Sequence, residues 1–128
     1  MEAARIATSP DQLSEALGFD QRPIRVGHVE LWPSEGRLGV DGQEVHLPQR
    51  EFDLLRVLVL GAGHVLSRER LHAAVWGTPM AHPRDRCVDV HVRKIRGRLM
   101  EAAPRWSYIH THVGYGYRFQ QVRRRERA

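Results

Sequence analysis

The chain has 128 residues, one domain's worth, with 41% hydrophobic and 27% charged side chains, ordinary proportions for a soluble globular protein. It lacks both the ~18 consecutive apolar residues of a membrane span and an apolar secretory leader, and its single cysteine, Cys87, excludes an internal disulfide and fits a reducing cytoplasm. The net charge of +5 is lopsided: residues 1–83 carry 8 Arg and no Lys against 11 acids, a net of −3, whereas residues 84–128 carry 11 Arg and one Lys against 4 acids, a net of +8.

Residues 1–23 read as a leader or linker. They hold one short helix, with Ser9 as cap, Pro10 at the first position and Gly18 at the end, or else are disordered. Residues 24–47 read as a small antiparallel sheet of four short strands. These are Ile24–Val26, Val29–Trp32, Arg37–Val40 and Glu44–Leu47, separated by Gly27, Pro33–Gly36 and the hairpin signal Asp41-Gly42. Phe52, Leu55, Leu58 and Val59 recur at helical spacing, and Gly61-Ala62-Gly63 closes that helix. Ser67 is a natural cap for a second helix through Leu71, Ala74 and Val75, which stops at Gly77. Trp76 is expected to wedge this helix against the sheet. Residues 78–83 form a loop with two prolines.

The third helix is expected from about residue 84 to 100. Val88, Val92, Ile95 and Leu99 occupy one narrow sector of it, and Arg86, Val90, Arg93, Lys94 and Gly97 gather on the opposite side. One side then packs on a core while the other presents positive charge outward. A guanidinium fork binds guanine edges or phosphates with two hydrogen bonds, so this pattern points to nucleic acid. A solvated basic face in an arginine-rich protein is the plainer alternative. After Pro104, residues 107–112 and 115–119 flank a turn at Val113-Gly114 and form a terminal hairpin. Residues 121–128 form a basic tail expected to be disordered.

The segments LPQREFDLL, GHVLSRERL, AAVWG, RCVDVHVRKIRGRL and HTHVGYGYRF resemble, in order and spacing, the effector domain of OmpR/PhoB-type response regulators. The resemblance covers roughly residues 24–120 and implies an α+β fold. That fold is a winged helix-turn-helix with an N-terminal antiparallel sheet, three helices and a C-terminal hairpin wing. It also implies sequence-specific binding of double-stranded promoter DNA, with the third helix in the major groove and the wing on the minor groove or backbone. The family's base-contacting or near-base positions fall on Arg86, Cys87, Val90, Arg93 and Lys94. Arg68, His91, Arg96, Arg98, Thr111, His112 and Arg118 are expected at the DNA backbone; the arginines are otherwise solvated, and His91 is otherwise a boundary histidine. Asp89 is expected to orient a neighbouring arginine. The loop of Gly77, Thr78, Pro79, Met80, Ala81, His82 and Pro83 would face RNA polymerase, and two copies would sit side by side on direct repeats.

Three features depart from the family pattern. Val113 stands where most members place a wing arginine, Pro48 replaces the hydroxyl cap of the first helix, and Gly97 interrupts the recognition helix. Twenty-three leading residues cannot hold a receiver domain, so control by aspartyl phosphorylation is not expected within this chain. Two further readings compete: a protein-interaction module contacting RNA polymerase or a partner with weak DNA binding, and an architectural DNA coat. Cys87 and His91 stand four residues apart, with His82, His110 and His112 elsewhere, but this is a weak metal signal. Neither metal, cofactor nor enzymatic activity is expected.

Overall fold

Alternation of apolar and polar side chains builds the first layer, a four-stranded antiparallel meander in the spatial order β1 (Ile24–Val26), β2 (Val29–Trp32), β3 (Arg37–Val40) and β4 (Gln43–Val45). The structure, a computed structural model, describes residues 22–125. The helix expected over residues 9–18 lies outside the described residues. Val29, Leu31, Leu38 and Val40 are buried on one face of the sheet, while Glu30 pairs with Gly39 on the other. Asp41 and Gly42 take φ of 51° and 81°, the left-handed geometry that suits a two-residue hairpin loop.

Three helices follow; the first and third pack on the sheet, and the second packs on those two. The first, α1 (Gln49–Leu60), buries Phe52, Leu54, Leu55, Leu58 and Val59, and Pro48 gives it no side-chain cap. The second, α2 (Arg68–Trp76), begins where Ser67 Oγ accepts the Arg70 backbone N–H at 3.1 Å and ends at Gly77 with φ 73°. The third, α3 (Cys87–Ala102), buries Val88, Val92, Ile95 and Leu99 along one stripe. It starts three residues later than residue 84, because Arg84 and Asp85 are held in a turn by His82. Asp85 Oδ1 accepts the Cys87 backbone N–H at 2.8 Å just ahead of the helix, whose N-cap residue, Arg86, supplies no side-chain cap. It also runs past Met100 to Ala102; Pro104 disfavours helical backbone at Ala103, where φ is −143°.

A second sheet closes the core in the order β5 (Val65–Leu66), β7 (Gly116–Arg123), β6 (Trp106–His112). The pair Val65-Leu66 was too short to show a period, yet it pairs with Arg118 and Tyr117 and makes β7 a central strand. The tail also differs from expectation. Residues 121–123 extend β7, with Val122 opposite Ser107 and Arg123 opposite Trp106, so the ordered unit passes residue 120. Gln121 Oε1 accepts the His28 backbone N–H at 2.6 Å, and the His28 ring meets Trp106 edge-on, which fastens the two sheets together. Phe119, wholly buried, sits at the centre of the joint core.

The approach of β5 to β7 depends on Gly116. A Cβ there would lie 2.0 Å from the Leu66 carbonyl oxygen, on backbone with φ of 141°. Gly116→Ala is therefore expected to lower stability by about 3–5 kcal/mol in urea unfolding. An unchanged midpoint would show that this contact is not needed.

Candidate nucleic-acid interface

The outward side of α3 follows from its inward side. With Val88, Val92, Ile95 and Leu99 in the core, Val90, Arg93, Lys94, Gly97 and Arg98 face solvent. Among the described residues, Arg93, Lys94 and Arg98 have no hydrogen-bond or ion-pair partner within the chain. A Cβ added to Gly97 would meet nothing within 4 Å, so the glycine leaves the middle of this face low. Arg86, at the head of the helix, is 75% exposed, and its Nε lies 3.5 Å from Asp89 Oδ2.

Asp89 is the hub beside this face. Its Oδ2 accepts from Arg68 Nη2 at 2.9 Å, and its Oδ1 accepts from the Tyr117 hydroxyl. One half-buried carboxylate thus joins α2, α3 and β7, and it also orients Arg86. Thr111, His112 and the hairpin tip face the head of α3 across a cleft of about 350 Å³ that Arg68, Arg86 and Asp89 also line.

Two arginines expected at the DNA backbone make hydrogen bonds within the chain. Arg68 donates to the carbonyl oxygens of Pro83, at 3.1 Å, and Asp85 as well as to Asp89. It clamps the loop before α3 onto the start of α2. Arg96 donates from Nε and Nη2 to the Ile109 carbonyl at 3.0 and 2.8 Å and from Nη2 to Thr111 Oγ1 at 2.8 Å, so it staples α3 to β6. Burial lowers its pKa, opposed by Tyr117 below it. Arg118 is half-buried with its Nε enclosed and without an acceptor. Charge pattern alone could not separate these from Arg93, because their acceptors are mostly backbone carbonyls brought close by the fold.

The remaining expected positions are mixed. Cys87 is half-buried, and burial first, then Asp85, push its thiol pKa up against the opposing pull of Arg50. His91 Nδ1 donates to the Cys87 carbonyl at 2.8 Å, and its ring meets Trp76 edge-on at 5.1 Å. It is a boundary histidine in this structure. Trp76 itself stacks on His72 at 5.0 Å and lies between α2 and α3, not against the first sheet as expected. The spacing of four residues on one helix marks the His72 pairing in the sequence, whereas nothing there marks His91. The loop Gly77–Pro83 is exposed except at Met80, and it is tethered where Thr78 O accepts from His72 Nδ1 at 2.7 Å.

Tyr117 carries a pH consequence. Burial, followed by its hydrogen bond to Asp89, raises the pKa of its hydroxyl to about 12. A folded-state pKa above the unfolded value of about 10 means that the bond's stabilisation is complete below pH 10 and is lost as pH rises toward 12. Urea unfolding between pH 9 and 11.5 should show stability falling above pH 10, with a shallower fall in Tyr117→Phe. Identical slopes in the two proteins would remove Tyr117 from this role.

Comparison with known proteins places this geometry. The family described as "Transcriptional regulatory protein, C terminal" matches residues 42–119. A probable transcriptional regulator, ycf27 of Pyropia yezoensis, is 32% identical over 114 residues, covering 88% of this chain and 47% of that protein. The chain spans about half the length of the curated relatives it matches. The DNA-binding domain of CpxR from E. coli superposes with a TM-score of 0.68 at 31% identity, covering 77% of this chain and 95% of that one. The RstA DNA-binding domain of Klebsiella pneumoniae, solved in complex with the RstA box, gives a TM-score of 0.68 at 28% identity, over 77% of this chain and 96% of that one.

Proposed function

The chain belongs to the family of C-terminal domains of transcriptional regulatory proteins, and from that premise we propose that it binds promoter DNA sequence-specifically, with α3 in the major groove. The observation that carries this reading is the exposed, unpaired Arg93 and Lys94 on a helix whose opposite side is locked in the core. Each base pair shows a distinct pattern of donors, acceptors and methyl groups in the major groove, and an α-helix fits there. Arg93 or Lys94 bonds guanine N7 and O6, Val90 touches a thymine methyl, and Arg86 swings from Asp89 to an edge or a phosphate. Arg98 and His112 flank this face and position the domain on the backbone.

The finer partners follow the same premise. Two copies bind side by side on direct repeats in the cytoplasm, and the exposed loop Gly77–Pro83 faces RNA polymerase. That loop is held at both ends, by His72 and by Arg68, so it is presented in a fixed position beside the DNA face.

Duplexes selected from a random library supply the test. Arg93→Ala should cost about 1–3 kcal/mol on the selected site and relax base preference at one position, with a much smaller loss on random duplex. Equal losses on both would make Arg93 a phosphate contact. A parent chain with no preference for the selected duplex would overturn the reading.

A further inference from the structure

Within the half of the chain that carries a net charge of +8, residues 106–117 contain no Lys, Arg, Asp or Glu. These residues are β6, the turn that follows it and the first two residues of β7, the part of the wing nearest the head of α3. Its tip carries Val113, 89% exposed, and Tyr115, 78% exposed, the two most exposed large hydrophobic residues among those described. The nearest cation along the strand, Arg118, is half-buried in the sheet opposite His110 and Val65.

From this we propose that the wing meets DNA with an apolar tip, Val113 and Tyr115 packing on the deoxyribose walls of the minor groove. The contact adds affinity that salt does not weaken and that reads no bases. This inference rests on the DNA-binding reading above and assigns the wing a contact chemistry of its own. Three observations carry it. The tip is a closed turn: the Tyr115 backbone N–H donates to the His112 carbonyl at 2.8 Å around Gly114 at φ 81°. The base of the wing is pinned to the head of α3 through Tyr117 and Asp89, and the tip shares one cleft with Arg86 and Asp89 at that head. Finally, two large apolar side chains held in water at a turn gain from any neutral surface that covers them, and the sugar walls of the minor groove offer one. The tyrosine hydroxyl remains free to donate to a phosphate oxygen at the groove edge. An arginine at this tip would instead favour narrow, A·T-rich minor grooves by charge. This wing lacks that preference, and base discrimination falls on α3.

The test uses the full chain, a selected duplex and a random duplex of equal length, with dissociation constants measured by fluorescence anisotropy over a salt series. The double variant Val113→Ala/Tyr115→Ala should bind both duplexes about tenfold more weakly, the scale of uncovering one or two apolar side chains. Its slope of log Kd against log salt should equal that of the parent. Val113→Arg should bind both duplexes more tightly, with a slope steeper by about 0.9, and should gain most on A·T-rich flanks. Thermal unfolding midpoints should match the parent, and the gain expected of Val113→Arg cannot arise from misfolding. Unchanged affinity in the double variant, or an unchanged slope in Val113→Arg, overturns the proposal. Because both effects are also read on random duplex, they stand apart from the parent's preference for the selected site, whose loss would overturn only the sequence-specific reading. Failure to bind either duplex would overturn both.

Discussion

The four side chains Val88, Val92, Ile95 and Leu99, all buried, fix the rotation of α3 about its own axis. Each contributes about 1.5–3 kcal/mol when withdrawn from water, and a roll of the helix by one residue would expose all four together. The outward face is therefore set by the inward one. Asp89 adds the second restraint, because one carboxylate takes Arg68 from α2 and Tyr117 from β7 and so fixes the helix relative to the wing. Burial sets the direction of the face, and the carboxylate sets its distance from the hairpin.

Arginine does two kinds of work in this domain, and the division explains how a strongly basic half can still pack. Arg68, Arg96 and Arg50 reach across between segments and donate to carbonyl oxygens of the loop before α3, of β6 and of the end of α2. The Arg50 bond to Val75 O caps the end of α2 from α1. Among the described residues Arg93, Lys94 and Arg98 do none of this and leave their charge exposed. Were the three structural arginines also free, the loop before α3 would lose its anchor, and the outward face of α3 would be carried on a looser frame.

Much of this was legible in the sequence because it depends on periodicity and on local turn chemistry. The strands at Val29–Trp32 and Arg37–Val40, the Asp41-Gly42 turn, the Ser67 cap, the Gly77 stop and the buried stripe of α3 all stand as expected. What was not legible depends on contacts between distant segments. The pair Val65-Leu66 becomes a strand only because β7 lies beside it, and residues 121–123 are ordered by Trp106, Ser107 and His28. The turn at Arg84-Asp85 and the internal roles of Arg68 and Arg96 depend on acceptors that have no signature in side-chain type. The Trp76 contact with His91 is illegible for the same reason, since it joins two helices, while its stacking on His72 is local to one.

The central claim is that the outward face of α3 is the surface that reads DNA, and a map of backbone amide NMR shifts during titration with a selected duplex tests it most directly. The largest changes should fall on residues 86–98 of α3 and on the hairpin tip, with little change on the outer face of the first sheet. Shifts concentrated on that sheet or on residues 77–83, with α3 silent, would contradict the account.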